Sequence, residues 1–207
     1  MRFEGLRFVI ARYNENLDWV EGLVSRFPGS RCTVYNKGGE LSFSNVSTTV
    51  QLVNVGRESH TYLSHVISTY RSDSSDSSDE VIVFLQGHPF DHCHSGELFD
   101  LVHSGVLEIM GGSMFENIGT QVIRIDDGIP TFHMSIKEEL CQTSLDLFGT
   151  SLPKSFEFSA GAMFVTCRES VLKRPIGFYE KAFLMVDSEV NPVRGFCFER
   201  LWSLIFS

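Results

Sequence analysis

The run "VIVFL" at residues 81–85 admits few structures, because five successive apolar residues are followed at once by Gln86, Gly87, His88, Asp91, His92 and His94. An uninterrupted apolar run of this length reads as a strand buried on both faces, as inside a parallel sheet covered by helices. Polar groups just beyond such a strand sit at its carboxyl end, where open α/β sheets bind their ligands.

The remaining sequence alternates in the same way. "LRFVIAR" (6–12) reads as a second buried strand, and "ENLDWVEGLVSRF" (15–27) has helical spacing through Leu17, Val20 and Leu23/Val24. Asn14 between them is of a type that caps helices. "CTVYNKG" (32–38) and "TTVQLVNVG" (48–56) read as strands, the second also as the approach to a turn, and "RESHTYLSHVISTY" (57–70) as a helix. Further helices are expected around 95–104 and 135–148, with strands at "QVIRI" (121–125) and "SAGAMFVTC" (159–167). The segment 168–185 reads as a helix interrupted by Pro175, and 196–206 as the last helix. Alternating strands and helices predict a single α/β domain with a mostly parallel central sheet flanked by helices.

Composition narrows the function. The formal net charge is −9 and no basic run exists, which argues against nucleic-acid binding, where Lys and Arg must displace counterions from phosphates. Five dispersed cysteines without a C-x-x-C spacing argue against a disulfide framework or zinc ribbon and fit a reducing compartment. No apolar stretch approaches membrane-spanning length and no signal peptide is evident, so a cytoplasmic location is expected. The polar segment "RSDSSDSSDE" (71–80) reads as a solvated loop: Asp73, Asp76 and Asp79 precede the strand at 81–85 and belong at the opposite end from the polar cluster.

Four segments bring functional side chains to strand ends or helix starts. "ARYNE" (11–15) offers Arg12, Tyr13 and Asn14 to a flat polar ring, or is simply a helix cap. In "NVGRESHTY" (54–62), Gly56 permits a sharp turn and Arg57 opens a helix, a combination suited to anions. Neither G-x-x-x-x-G-K-[ST] nor G-x-G-x-x-G occurs, which disfavours a P-loop or Rossmann cofactor site. "QGHPFDH" (86–92) carries Gln86, His88, Asp91 and His92, oxygen and imidazole groups suited to Mn²⁺, although the spacing matches no zinc signature; His92 can also be a loop histidine, and His94 reads as one. In "GFCFERLW" (195–202), Glu199 and Arg200 form either a structural pair or a general base beside a phosphate partner.

Taken in order, "VIARYNENLDWV", "VYNKGG", "NVGRESHTYLSHVISTY", "VFLQGHPFDH", "SAGAMFVTCRE" and "ERLW" resemble a family of glycosyltransferase-like proteins from bacteria, fungi and large algal viruses. The blocks span residues 9 to 202, and the N-terminal glycosyltransferase domain of a multidomain chlorella-virus protein is similar in the same order. The resemblance implies a GT-A fold, a UDP-sugar donor, a carbohydrate acceptor and Mn²⁺ or Mg²⁺. It also implies a chain that can be the N-terminal part of a longer protein, in the host cytoplasm if viral.

On that pattern Ala11, Arg12 and Asn14 flank the uracil. Gly56, Arg57, Gln86, Gly87 and Arg200 complete the expected nucleotide-sugar site, with His88 and Asp91 at the metal; Ser159 and Gly161 in "SAGAMF" either let backbone approach the sugar or serve tight sheet packing. The family's Asp-x-Asp motif is replaced here by Gln86-Gly87-His88, with the "DDG" turn at 126–128 as the next source of a carboxylate. The expected reaction transfers a hexosyl group to a carbohydrate hydroxyl, with Asp91 or Glu199 as the candidate base. The competing expectation is a nucleotide-sugar or carbohydrate-binding module without catalysis. A metal-dependent hydrolase built on the histidines is a third and weaker reading.

Overall fold

The computed structural model describes residues 3–41, 47–71, 80–94, 96–126 and 136–207. A six-stranded sheet forms its centre. It is built from β1 (Leu6–Arg12), β2 (Arg31–Asn36), β3 (Thr48–Gln51), β4 (Val81–Gln86), β5 (Phe115–Asn117) and β8 (Phe164–Cys167), in the order β3-β2-β1-β4-β8-β5. The pairs β3–β2, β2–β1 and β1–β4 are parallel, whereas β8 runs antiparallel to both β4 and β5. Two further strands, β6 (Val122–Asp126) and β7 (Ser155–Ser159), form a separate antiparallel ribbon.

The helices are α1 (Trp19–Arg26), α2 (Arg57–Arg71), α3 (Leu98–Met110), α4 (Lys137–Phe148), α5 (Arg168–Leu172), α6 (Ile176–Leu184) and α7 (Val193–Phe206). The run 81–85 behaves as its composition requires. Val81, Val83 and Leu85 join one apolar cluster with residues of α1 and α3, while Ile82 and Phe84 join the other with α2, α4, α6 and α7. Alternate side chains of one strand thus serve two cores, which is why no polar residue interrupts it.

Phe84 stacks near Tyr62 at 4.9 Å and Phe164 at 4.8 Å, and Trp202 lies 5.8 Å from Phe206 in the same cluster. Truncating such a core ring leaves a cavity, so Phe84→Ala is expected to cost about 3–5 kcal/mol.

Several expectations need correction. The strand expected at 159–167 is two strands, β7 and β8, separated by a turn in which Gly161 and Ala162 both take positive φ. The helix expected from residue 15 begins at Trp19, so Asn14 does not cap it; Asn14 Oδ1 accepts instead from the Gly39 amide at 3.0 Å. The strand expected to run to residue 56 stops at Gln51, and α3 runs on to Met110. Pro175 does break the 168–185 segment, lying between α5 and α6 with extended ψ, as a residue without an N–H and with fixed φ should. Residues 72–79, which carry the aspartates of the polar loop, lie outside the described residues, as do Asp127 and Gly128 of the "DDG" turn.

All five cysteines are free, and among the described residues no helix is long and apolar enough to cross a membrane.

Candidate functional site

The chain leaves β1 toward β2 on one side, and β4 pairs on the other side, so strand order reverses between β1 and β4. Loops beyond such a switch point diverge and leave a crevice at the carboxyl ends. Here Ala11 is level with Gln86 across the two strands, and a cleft of about 510 Å³ opens above them. Ala11, Arg12, Arg57, Gln86, Gly87, His88 and Asp91, all expected from sequence, line it. Asn14, Gly56, Ser159, Gly161, Glu199 and Arg200 are not among its lining residues.

Arg12 is 9% exposed, and its guanidinium is already engaged. Nε donates to the Glu15 carbonyl at 3.0 Å, and Nη1 donates to Asn36 Oδ1 at 2.6 Å and to the carbonyls of Tyr13 and Gly39. A buried cation needs such partners. They lock the β1–α1 loop to the turn after β2, and Gly38 packs so closely on the Tyr13 carbonyl that a Cβ would collide with it. The half-exposed ring of Tyr13 therefore stands on a braced platform at the cleft edge.

Gly87 is a close backbone approach: a Cβ there would come within 2.7 Å of Glu15 Oε2, and its carbonyl accepts from Trp19 Nε1 at 3.1 Å. Glu15 itself accepts from the Tyr13 amide at 2.6 Å, which brings a carboxylate beside the end of β4. Beyond Gly87, a 3₁₀ turn at Pro89–Asp91 folds His88 and Asp91 together, with Nδ1 3.2 Å from Oδ1. Both are open to solvent, at 52% and 70% exposure of their side chains.

The opposite wall is the first turn of α2. Gly56 and Arg57 both have left-handed backbones, φ 64° and 51°, and Gly56 is pressed onto Val186 and His60 so that no side chain fits. For Arg57 this conformation costs about 1–2 kcal/mol. Its guanidinium lies 4.3 Å over the Phe196 ring, donates to Asn191 Oδ1 at 2.9 Å and stands 3.6 Å from Glu58 Oε2.

Lys37, one residue past β2, also lines the cleft and donates from Nζ to the Val55 carbonyl at 2.6 Å and to the Arg57 carbonyl. Burial pushes its ammonium down to about 8, against the opposing pull of Glu58. Burial raises the Glu58 carboxyl, with Arg57 acting in the other direction and Glu199 adding to the rise. Thr61 Oγ1 in the wall and Tyr62 OH beside it on α2 are buried and have no hydrogen-bond partner among the described residues.

Glu199 and Arg200 pair with each other on α7. Glu199 Oε1 accepts from the Gly161 amide at 2.6 Å, and Oε2 stands 3.1 Å from Arg200 Nη1. Arg200 also donates to the Phe196 carbonyl at 2.7 Å and lies 5.0 Å over Phe158. Gly161 packs on the His92 ring without room for a Cβ, and buried Ser159 packs as tightly on Gly119. These four residues pin the β7–β8 turn to α7 beside the His92 loop.

His88 and Asp91 supply an imidazole and a carboxylate suited to Mn²⁺ or Mg²⁺. Among the described residues, no group of three His, Cys, Asp or Glu converges on a metal position. Two protein groups alone are fewer than a dedicated metal site presents.

Lys37 and Asn191 also line the cleft beyond the residues expected from sequence, together with Glu15 of the expected segment 11–15 and Asn54, Glu58 and Thr61 of the expected segment 54–62. The rule that singled out Arg12 finds Lys37 as well, because "VYNKGG" places it just past a buried strand. Asn191 has no such signal: it arrives from the α6–α7 connection, which folds back on α2 through Gly56 N–H donating to the Glu189 carbonyl at 2.7 Å.

No curated protein matches the chain. The family described as "Protein of unknown function (DUF3431)" matches residues 8–207, nearly its whole length, and the chain belongs to that family.

Proposed function

We propose that the cleft binds a UDP-sugar and that the protein transfers its hexosyl group to a carbohydrate hydroxyl, within a GT-A type fold and assisted by Mn²⁺ or Mg²⁺. The observation that carries this reading is the convergence at the β1/β4 switch point. A platform topped by Tyr13 suits a flat base, and Arg57 suits a diphosphate.

The cleft's charges favour a metal-assisted form. Glu15, Glu58 and Asp91 face the same space as Arg57 and Lys37, and Arg12 is engaged internally. A diphosphate entering among three carboxylates gains from a divalent ion held at His88 and Asp91. When bound, that ion neutralises charge on the leaving diphosphate. Arg57, oriented by Asn191 and Phe196, would donate to the diphosphate as the glycosidic bond breaks.

Free of a metal, Asp91, exposed at the cleft mouth beside His88, takes a proton from an acceptor hydroxyl; as a ligand of the ion it would be too weak a base for that role. Glu58, whose proton affinity burial raises, is a second acid–base candidate deeper in the wall.

The alternative is a binding module without turnover, and it is favoured by the small number of protein ligands that His88 and Asp91 offer a metal. Calorimetry with a panel of nucleotide sugars, with and without Mn²⁺, followed by a transfer assay on the donor that binds, separates the two. Mn²⁺-dependent binding with transfer or hydrolysis supports the enzyme. Binding without turnover supports the module, and no binding by any nucleotide removes the enzyme and the nucleotide-sugar module and leaves the carbohydrate-binding module.

A further inference from the structure

We infer that Lys37 is a positioning residue for Arg57: bridging the Val55 and Arg57 carbonyls, it holds the left-handed Gly56–Arg57 pair that presents the Arg57 guanidinium to the cleft. The two carbonyls flank the pair, so one ammonium spans the strained part of the backbone. A glycine takes this conformation freely, but an arginine does not, and an arginine held there needs surroundings that over-determine it.

Those surroundings are visible. Gly56 N–H donates to the Glu189 carbonyl, His60 N–H donates to the Gly56 carbonyl at 3.0 Å, and the guanidinium is caught between Phe196 and Asn191. Lys37 is the only contributor from the β2 side among the described contacts of this turn, and it is nearly buried at 9% exposure. A flexible surface lysine would not be spent on backbone carbonyls in a low-dielectric wall, where desolvating its charge is costly. The arrangement couples the end of β2 to the start of α2, so that the anion-facing arginine is aimed by a residue from another strand.

The inference rests on the nucleotide reading only for its affinity arm, and the second arm needs no ligand. In the first, UDP affinity is measured by calorimetry for the wild type, Lys37→Met, Lys37→Arg, Arg57→Ala and the Lys37→Met/Arg57→Ala double variant. Lys37→Met is expected to weaken UDP at least fivefold, Lys37→Arg to restore most of that loss, and Lys37→Met to add nothing once Arg57 is Ala. An equal further loss in the Arg57→Ala background means that Lys37 contacts the ligand itself and overturns the inference.

In the second arm, amide hydrogen exchange is followed at Gly56 and His60. Lys37→Met is expected to speed exchange at both while core amides such as Val83 stay protected, and adding Arg57→Gly is expected to restore protection. Unchanged exchange in Lys37→Met overturns the inference whatever UDP does. A wild type that ignores UDP yet shows the exchange pattern removes the nucleotide reading and keeps the positioning role.

Discussion

The Glu199 carboxylate accepts the Gly161 amide at 2.6 Å on one oxygen and faces Arg200 at 3.1 Å with the other. Both oxygens are engaged, and the side chain is 16% exposed. Glu199→Gln is expected to lower stability by about 1–3 kcal/mol through the weakened bond to Arg200, and to leave UDP affinity within twofold of wild type. Thermal unfolding and calorimetry on the same sample check it. A fully stable variant that loses turnover would move Glu199 into the catalytic set.

Asp91 should behave in the opposite way. Its carboxylate is open to solvent and pairs with His88, so Asp91→Asn should fold normally. If it is the base, transfer falls about 100-fold or more, the usual effect of losing such a group. A fully active Asp91→Asn would shift attention to Glu58, for which Glu58→Gln is the corresponding variant.

Arg57→Ala removes a charged donor from the anion wall. UDP binding is expected to weaken by about 1.5–3 kcal/mol, the usual worth of a charged hydrogen bond. Unchanged affinity would remove the diphosphate from this part of the cleft.

His65 makes a pH prediction independent of any ligand. It is buried on α2 with Nδ1 2.9 Å from Tyr35 OH, and burial, aided by Arg7, pushes its pKa down to about 3. The unfolded chain takes up that proton near the ordinary histidine value of about 6.5, whereas the folded chain does not until about pH 3. Between these values the unfolded state binds more protons, so stability falls as pH falls, by up to about 1.4 kcal/mol per pH unit from this residue. Urea unfolding at a series of pH values should show a shallower acid decline for His65→Gln than for wild type. Equal slopes would mean that His65 is protonated in the native state.

Much of this was readable from residues whose neighbours in sequence are also their neighbours in space. The apolar run 81–85 had to be a doubly buried strand, and polar groups after it had to reach its carboxyl end. The role of Arg12 was not readable, because its partners Asn36 and Gly39 come from a different loop and no local pattern reveals a guanidinium already satisfied. Asn14 looked like a cap because caps are judged locally, whereas its partner is Gly39. The "SAGAM" turn was read as strand because small residues suit both states, and only the packing of Gly161 on His92 shows why the chain must bend there. Strand β5 leaves no sequence signal because "FEN" is too short to carry a periodicity.

The position of β8 has a consequence for how the chain is made. β4 is hydrogen-bonded to β1 on one edge, and its other edge is closed only by residues 164–167. On a ribosome, β1 to β4 can assemble long before β8 emerges, leaving an all-apolar strand with an open edge and Phe84 uncovered by α7. Such an intermediate is a template for pairing with a second nascent chain. Slow synthesis between residues 86 and 164 should therefore promote aggregation, and chaperone dependence should ease once the antiparallel strand slots in beside β4.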